Sequence, residues 1–173
     1  CRTDHGLLLS THAALDVGLV VAVHGRHCMV ESSDGVRLIC HPRGKKSDAV
    51  VGDRVRWQPA GDEAVVEQVE PRRNLLFRQD EVRTKSFAAN IDQVLMIVAG
   101  EPVFSESQLA RALIAAESAG IPARIVLNKC DLAAALPSVL SNARKLLAPF
   151  IALGCRVVEL SARFDPSPLL PLL

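Results

Sequence analysis

With 173 residues the chain has room for one ordinary domain or two small ones, and 49% apolar against 23% charged residues is the balance of a soluble globular protein. A formal net charge of +1 excludes a whole-molecule field for nucleic acid, so any such contact has to come from local patches. The longest apolar run that reads as buried, Val94–Ala99, is far short of the roughly 20 residues of a membrane helix.

Residues 1–15 read as an N-terminal tail. Cys1-Arg2-Thr3-Asp4-His5 has no charged-then-apolar signal layout, and the absence of an initiator Met implies that residues before Cys1 have been removed or omitted. Cysteines at 1, 28, 40, 130 and 155 are odd in number and form no C-x-x-C, which points to a reducing cytoplasm rather than a disulfide framework.

Residues 16–70 read as five short strands: 17–23, 27–31, 36–40, 54–57 and 64–70. Asp34-Gly35 between two of them is a hairpin signal. Five short strands in about 55 residues suit a small closed barrel such as an OB-fold. Residues 71–90 are rich in Arg and lack sustained apolar periodicity, so they are read as a basic connector.

From residue 91 to 173 the pattern alternates. A buried strand is expected over 92–99, then a helix capped by Ser105 and Gln108 and ended by Gly120. A strand follows at 123–127, then a helix from Pro137 with Leu140, Ala143 and Leu147 on one face. Pro149 is expected to kink or divide that helix before a last strand at 156–160. Strand–helix–strand–helix–strand implies a parallel sheet with right-handed crossovers.

The strand at 124–127 runs directly into Asn128-Lys129-Cys130-Asp131, and ligands of open parallel sheets bind beyond strand carboxyl ends. A carboxylate at 131 matches two adjacent donors on guanine that adenine lacks. Lys129 can lay its stem along a purine face, and Asn128 can tie the loop to its neighbours. The next strand ends in Ser161-Ala162-Arg163, where a backbone N–H at Ala162 would meet a base carbonyl.

Asn128-Lys129-Cys130-Asp131 and Ser161-Ala162-Arg163 resemble the fourth and fifth guanine-nucleotide motifs of GTPases. No G-x-x-x-x-G-K-[ST] stands upstream; at Gly44-Lys45-Lys46 the hydroxyl position holds Lys46 and the first glycine is replaced by Ile39. This order, behind an OB-type barrel, resembles the bacterial ribosome small subunit-dependent GTPase A family. Val51-Gly52-Asp53-Arg54-Val55, Pro71-Arg72-Arg73-Asn74 with Leu76-Phe77-Arg78, and Ala88-Ala89-Asn90-Ile91-Asp92-Gln93 extend the likeness over residues 17–165.

The resemblance implies an all-β OB-fold barrel followed by a partial α/β domain, P-loop GTPase-like and circularly permuted. It implies a GTP-binding and hydrolysing factor acting on the small ribosomal subunit and its rRNA, cytoplasmic, and a monomer when intact. The guanine-binding residues are then Asn128, Lys129, Asp131, Ser161 and Ala162. In the family the P-loop, switch segments and a zinc-binding region follow the Ser-Ala motif, whereas this chain stops inside what reads as the following helix. GTP or GDP with Mg²⁺, and zinc, are therefore expected of the intact protein. The chain alone is expected to be inactive, with no catalytic residue, no metal site and no tightly bound cofactor of its own.

Candidate RNA-binding residues are Arg43, Lys45 and Lys46 in a compact basic loop, with Arg72, Arg73 and Arg78 in the connector. Residues 1–90 hold 13 Lys/Arg against 12 Asp/Glu, so the region as a whole is balanced. Trp57 is the lone aromatic among the barrel strands, which argues for structured RNA held by phosphates and shape rather than stacked single strands. His24, His27, Cys28, Cys40 and His41 lack metal-ligand spacing and read as packing. The alternative reading is a non-catalytic OB-fold RNA-binding module whose α/β part is a structural remnant.

Overall fold

A computed structural model describes residues 15–44, 48–79 and 84–173. The chain divides into two compact units, residues 1–72 and 73–173. No helix among the described residues is long and apolar enough to cross a membrane.

The first unit is a closed barrel of β1 (Asp16–His24), β2 (His27–Ser32), β3 (Arg37–Pro42), β4 (Arg54–Ala60) and β5 (Glu63–Val69). The strands run in the order β1-β2-β3-β5-β4, with β4 returning to β1. All neighbours are antiparallel except β3 and β5, which pair in parallel. Alternation fills the interior with Val20, Cys28, Val30, Cys40, Val55, Trp57, Ala64 and Val66. Gly18 is required by this packing: a Cβ there would stand 2.3 Å from Val30 Cγ1 and 3.0 Å from Trp57 Nε1.

The expected hairpin forms at residues 32–36, where Gly35 takes a φ of +82° and Ser32 N–H donates to Val36 O at 2.9 Å. Cys28 and Cys40 are cross-strand partners, buried and unoxidised. Burial pushes both thiols up, Cys40 to about 11, so they stay protonated and inert. Asp53 is fully buried. Its carboxylate accepts Arg72 Nε and Nη2, each at 2.8 Å, and Val50 N–H at 2.8 Å.

In the second unit the connector expected over 71–90 contains two paired strands, β6 (Leu75–Gln79) and β7 (Thr84–Ala89). Asn74 fastens their base, its Nδ2 donating to Ile91 O and its Oδ1 accepting Ile91 N–H, both at 2.8 Å. The α/β part follows: β8 (Val94–Ala99), α1 (Glu106–Ser118), β9 (Ala123–Asn128), α2 (Pro137–Ala152) and β10 (Val157–Glu159). The sheet is parallel in the order β10-β9-β8.

Ser105 caps α1 by accepting Gln108 N–H at 3.3 Å, a contact type that stabilises a helix by about 1 kcal/mol. Gly120, at a φ of +66°, turns the chain out of it. The core joins Leu109 of α1, Ile125 and Leu127 of β9, and Ala143, Leu147 and Phe150 of α2.

Three expectations are corrected. The strand read as buried at 92–99 is an edge strand with Ile97 64% exposed, because only β9 pairs with it among the described residues. Pro149 does not divide α2, which continues to Ala152. It sits in the last turn, where it removes a single intrahelical bond, and Leu153 N–H still bonds Pro149 O at 3.1 Å. The segment read as the following helix is helical but of 3-10 type over Ser167–Leu172, since its prolines remove donors that an α-helix needs.

Candidate functional site

Two loops leave the carboxyl ends of adjacent strands, one after β9 and one after β10. Parallel pairing of Val157–Glu159 with Ile125–Leu127 sets their register. Leu160 N–H then donates to Leu127 O at 3.0 Å, and Cys130 N–H to Leu160 O at 3.1 Å. These bonds extend the ladder one step into the loops.

All five residues expected to meet guanine converge here. Asn128 Oδ1 accepts two backbone donors, Lys129 N–H at 2.8 Å and Ala162 N–H at 2.9 Å. Ser161 Oγ donates to Asp131 Oδ1, a second link between the loops. Asp131 and Ala162 are exposed, while Asn128 and Ser161 are half-buried. The Ala162 N–H read as a donor to a base carbonyl is thus already engaged by Asn128.

Lys129 adopts a left-handed φ of +63°, which costs a non-glycine residue about 1–3 kcal/mol. Its Nζ donates to Glu101 O at 2.9 Å, so its stem is stretched between the exits of β9 and β8. Cys130 packs against the core side of the same loop, its Sγ 3.3 Å from Leu127 O, and burial raises its thiol pKa. Behind the second loop, Arg144 of α2 grips Glu159 through Nε at 2.8 Å and Nη2 at 2.6 Å. A cleft of ≈ 620 Å³ along β8 and α1 has Asn128 and Lys129 at one end.

The Glu101 carbonyl and the Arg144–Glu159 pair escaped the sequence reading. A backbone acceptor carries no sequence signal, and residues fifteen apart on a helix and a strand match no local spacing.

The expected RNA residues that the structure describes each have their own neighbours. Arg43 is ion-paired with Glu67. Lys45 and Lys46 lie outside the described residues. Arg72 clamps Asp53 and also donates to Asp48 O at 2.6 Å, and Arg73 bonds Asn90 O at 3.0 Å and Asp92 Oδ1 at 2.6 Å. Arg78 stands on β6 opposite Lys85. No group of three His, Cys, Asp or Glu placed to hold a metal occurs among the described residues.

A family model described as RsgA GTPase matches residues 69–167, more than half of the chain. The chain belongs to the RsgA GTPase family. It is 60% identical over 146 residues to the small ribosomal subunit biogenesis GTPase RsgA of Variovorax paradoxus, covering 84% of this chain and 45% of that protein. The RsgA of Bordetella pertussis is 54% identical over 147 residues, with 84% and 48% covered. The chain therefore spans about half the length of the curated relatives it matches.

Among solved structures, YjeQ from Thermotoga maritima aligns with a TM-score of 0.62 at 30% identity, covering 86% of this chain and 52% of that one. YloQ, described as a circularly permuted GTPase, aligns at 0.60 and 22% identity over 89% and 54%, a likeness of fold alone. The barrel followed by an α/β unit is thus the architecture of RsgA-type permuted GTPases.

Proposed function

We propose that this chain supplies guanine recognition and an RNA-contacting barrel to a GTP-hydrolysing factor of small ribosomal subunit biogenesis in the cytoplasm. One observation carries the reading. The β9 and β10 loops are joined by Asn128–Ala162 and Asp131–Ser161, leaving an exposed carboxylate at the carboxyl edge of a parallel sheet. The names of the relatives support the ribosomal assignment.

Asp131 reads the two adjacent donors of guanine. Lys129, pinned at its tip by Glu101, presents its stem to one base face. Ala162 N–H reaches the base carbonyl by sharing its proton with Asn128 Oδ1. Nothing in the sequence matches a phosphate-binding G-x-x-x-x-G-K-[ST]. Phosphate contacts, Mg²⁺ and the attack of water are assigned to the remainder of a full-length GTPase, and the 173-residue chain alone to base recognition without hydrolysis.

The test uses the full-length protein. Asp131→Asn keeps the size but sets a donor against a guanine donor, so GTP affinity should fall roughly tenfold or more. Xanthosine triphosphate, with a carbonyl in place of the amino group, should bind the variant better than GTP. Titration of both nucleotides against both proteins decides it. An unchanged GTP preference would leave the alternative, an RNA-binding barrel with a structural α/β remnant.

A further inference from the structure

The outer wall of the barrel carries a feature that the linear sequence hides. His24 and His27 are cross-strand partners on β1 and β2. Their ring centroids are 5.6 Å apart and their planes are tilted by 36°. His41 of β3 stands 5.9 Å beyond His27, tilted by 46°. Three imidazoles thus tile three neighbouring strands.

Alternation puts Cys28 and Cys40 in the core and turns His27 and His41 outward, onto the same face as Met29 and Ile39. Ile39 is 47% exposed, so the rings border an apolar ledge. At the far end of that face Arg37 and Glu31 neutralise one another at 2.9 Å.

The charged groups around the row are few. Arg26 lies in the turn between His24 and His27 and is exposed, and Arg43 follows β3 but is paired with Glu67. Glu63, at the start of β5, stands 2.9 Å from His41 Nε2 without hydrogen-bond alignment. Asp62 precedes it in the β4–β5 turn. The row is extended and does not close into a metal-binding set among the described residues.

OB-folds take up oligonucleotides on the face of their second and third strands and on the loops joining β1 to β2 and β4 to β5. The imidazole row begins at the first of these loops, crosses that face and ends beside the second. Unpaired RNA bases stack on His as well as on larger rings, because every base presents a π-face. Trp57 is buried inside the barrel and cannot serve.

We propose that the row His24–His27–His41 is a stacking platform for an unpaired nucleotide of RNA, with Arg26 as its phosphate contact. This rests on the reading of the barrel as RNA-contacting and adds to the basic loop a second contact on the β1–β3 wall. It also replaces recognition by shape alone with capture of an extruded base.

The experiment uses full-length protein and two labelled RNAs, an unstructured octamer and a blunt-ended, fully paired duplex, with purified small subunits as a third ligand. The combined variant His24→Ala/His27→Ala/His41→Ala should lose roughly tenfold or more in octamer affinity while the paired duplex binds as before. His27→Phe/His41→Phe keeps rings without imidazole chemistry and should bind the octamer within about threefold of the unmodified protein. If the alanine variant binds the octamer normally, or the phenylalanine variant fails to, the platform is overturned. Thermal melting establishes folding, and the phenylalanine variant alone decides if the alanine protein is unfolded. Neutralising Arg43, Lys45 and Lys46 should separately weaken subunit binding and its salt dependence. If that effect persists when the platform fails, the RNA-contacting barrel stands without it.

Discussion

Asp53 shows what one buried carboxylate requires of a residue distant in sequence. Its carboxylate has no exposure, and the Arg72 fork satisfies both of its oxygens. Hydrogen bonding to Asp53 raises the Arg72 pKa further, so the cation is permanent. Removing one member of such a pair leaves an uncompensated buried charge. Arg72→Ala should therefore destabilise the barrel by about 3 kcal/mol, seen as a lower urea midpoint at unchanged slope. A loss below about 1 kcal/mol would mean that Val50 N–H and water already satisfy Asp53. In sequence, Arg72 counts as one of several connector cations; three-dimensional contact shows it engaged inside the first unit. The candidate guanine loop was legible because Asn128, Lys129 and Asp131 stand within four positions of one another at a strand end. The Lys129–Glu101 and Arg144–Glu159 bonds were not, because one needs the exits of β8 and β9 side by side and the other needs α2 packed against β10.

Between elements, the bond between Arg144 on α2 and Glu159 on β10 braces the second loop from behind. Arg144 holds Glu159 below its ordinary 4.5, chiefly through the hydrogen bond itself. A carboxylate whose folded pKa is depressed contributes stability above its unfolded pKa and loses it as pH falls through the folded value. Glu159→Gln should thus lower the unfolding midpoint near neutral pH, and the gap to the unmodified chain should close as pH falls below the ordinary carboxylate range and through the lowered folded value. A gap independent of pH would mean that packing, not charge, is lost. Elements with strong local signals, such as the Asp34-Gly35 hairpin and the Ser105-capped helix, were readable in advance. The β6–β7 pair was not, since Leu75-Leu76-Phe77 breaks alternation and the ladder itself is irregular between Leu76 and Phe77. Barrel closure was expected from strand count, but the parallel β3–β5 pairing joins residues over twenty apart and has no local code.

For the molecule as a whole, the two units differ in how they treat strand edges. The barrel has none, since β4 returns to β1. The three-stranded sheet ends at β8, whose outer edge has no partner strand among the described residues and presents Ile97. Open apolar edges recruit other chains, and a lysine on the edge prevents it. The 173-residue chain should accordingly self-associate in light scattering, and Ile97→Lys should return it towards monomer. A clean monomer without the substitution would mean that the edge is covered.

Asn128 Oδ1 accepts the N–H groups of Lys129 and Ala162 and so ties the two loops to one another through the protein itself; on the proposed reading a base would meet loops already joined. Little ordering is left for the moment of encounter, and arrival is governed by diffusion to an open surface. Related ligands would then arrive at similar rates and differ in how long they stay. On that reading the asparagine bridge would make the pocket a timer of residence rather than a gate of entry.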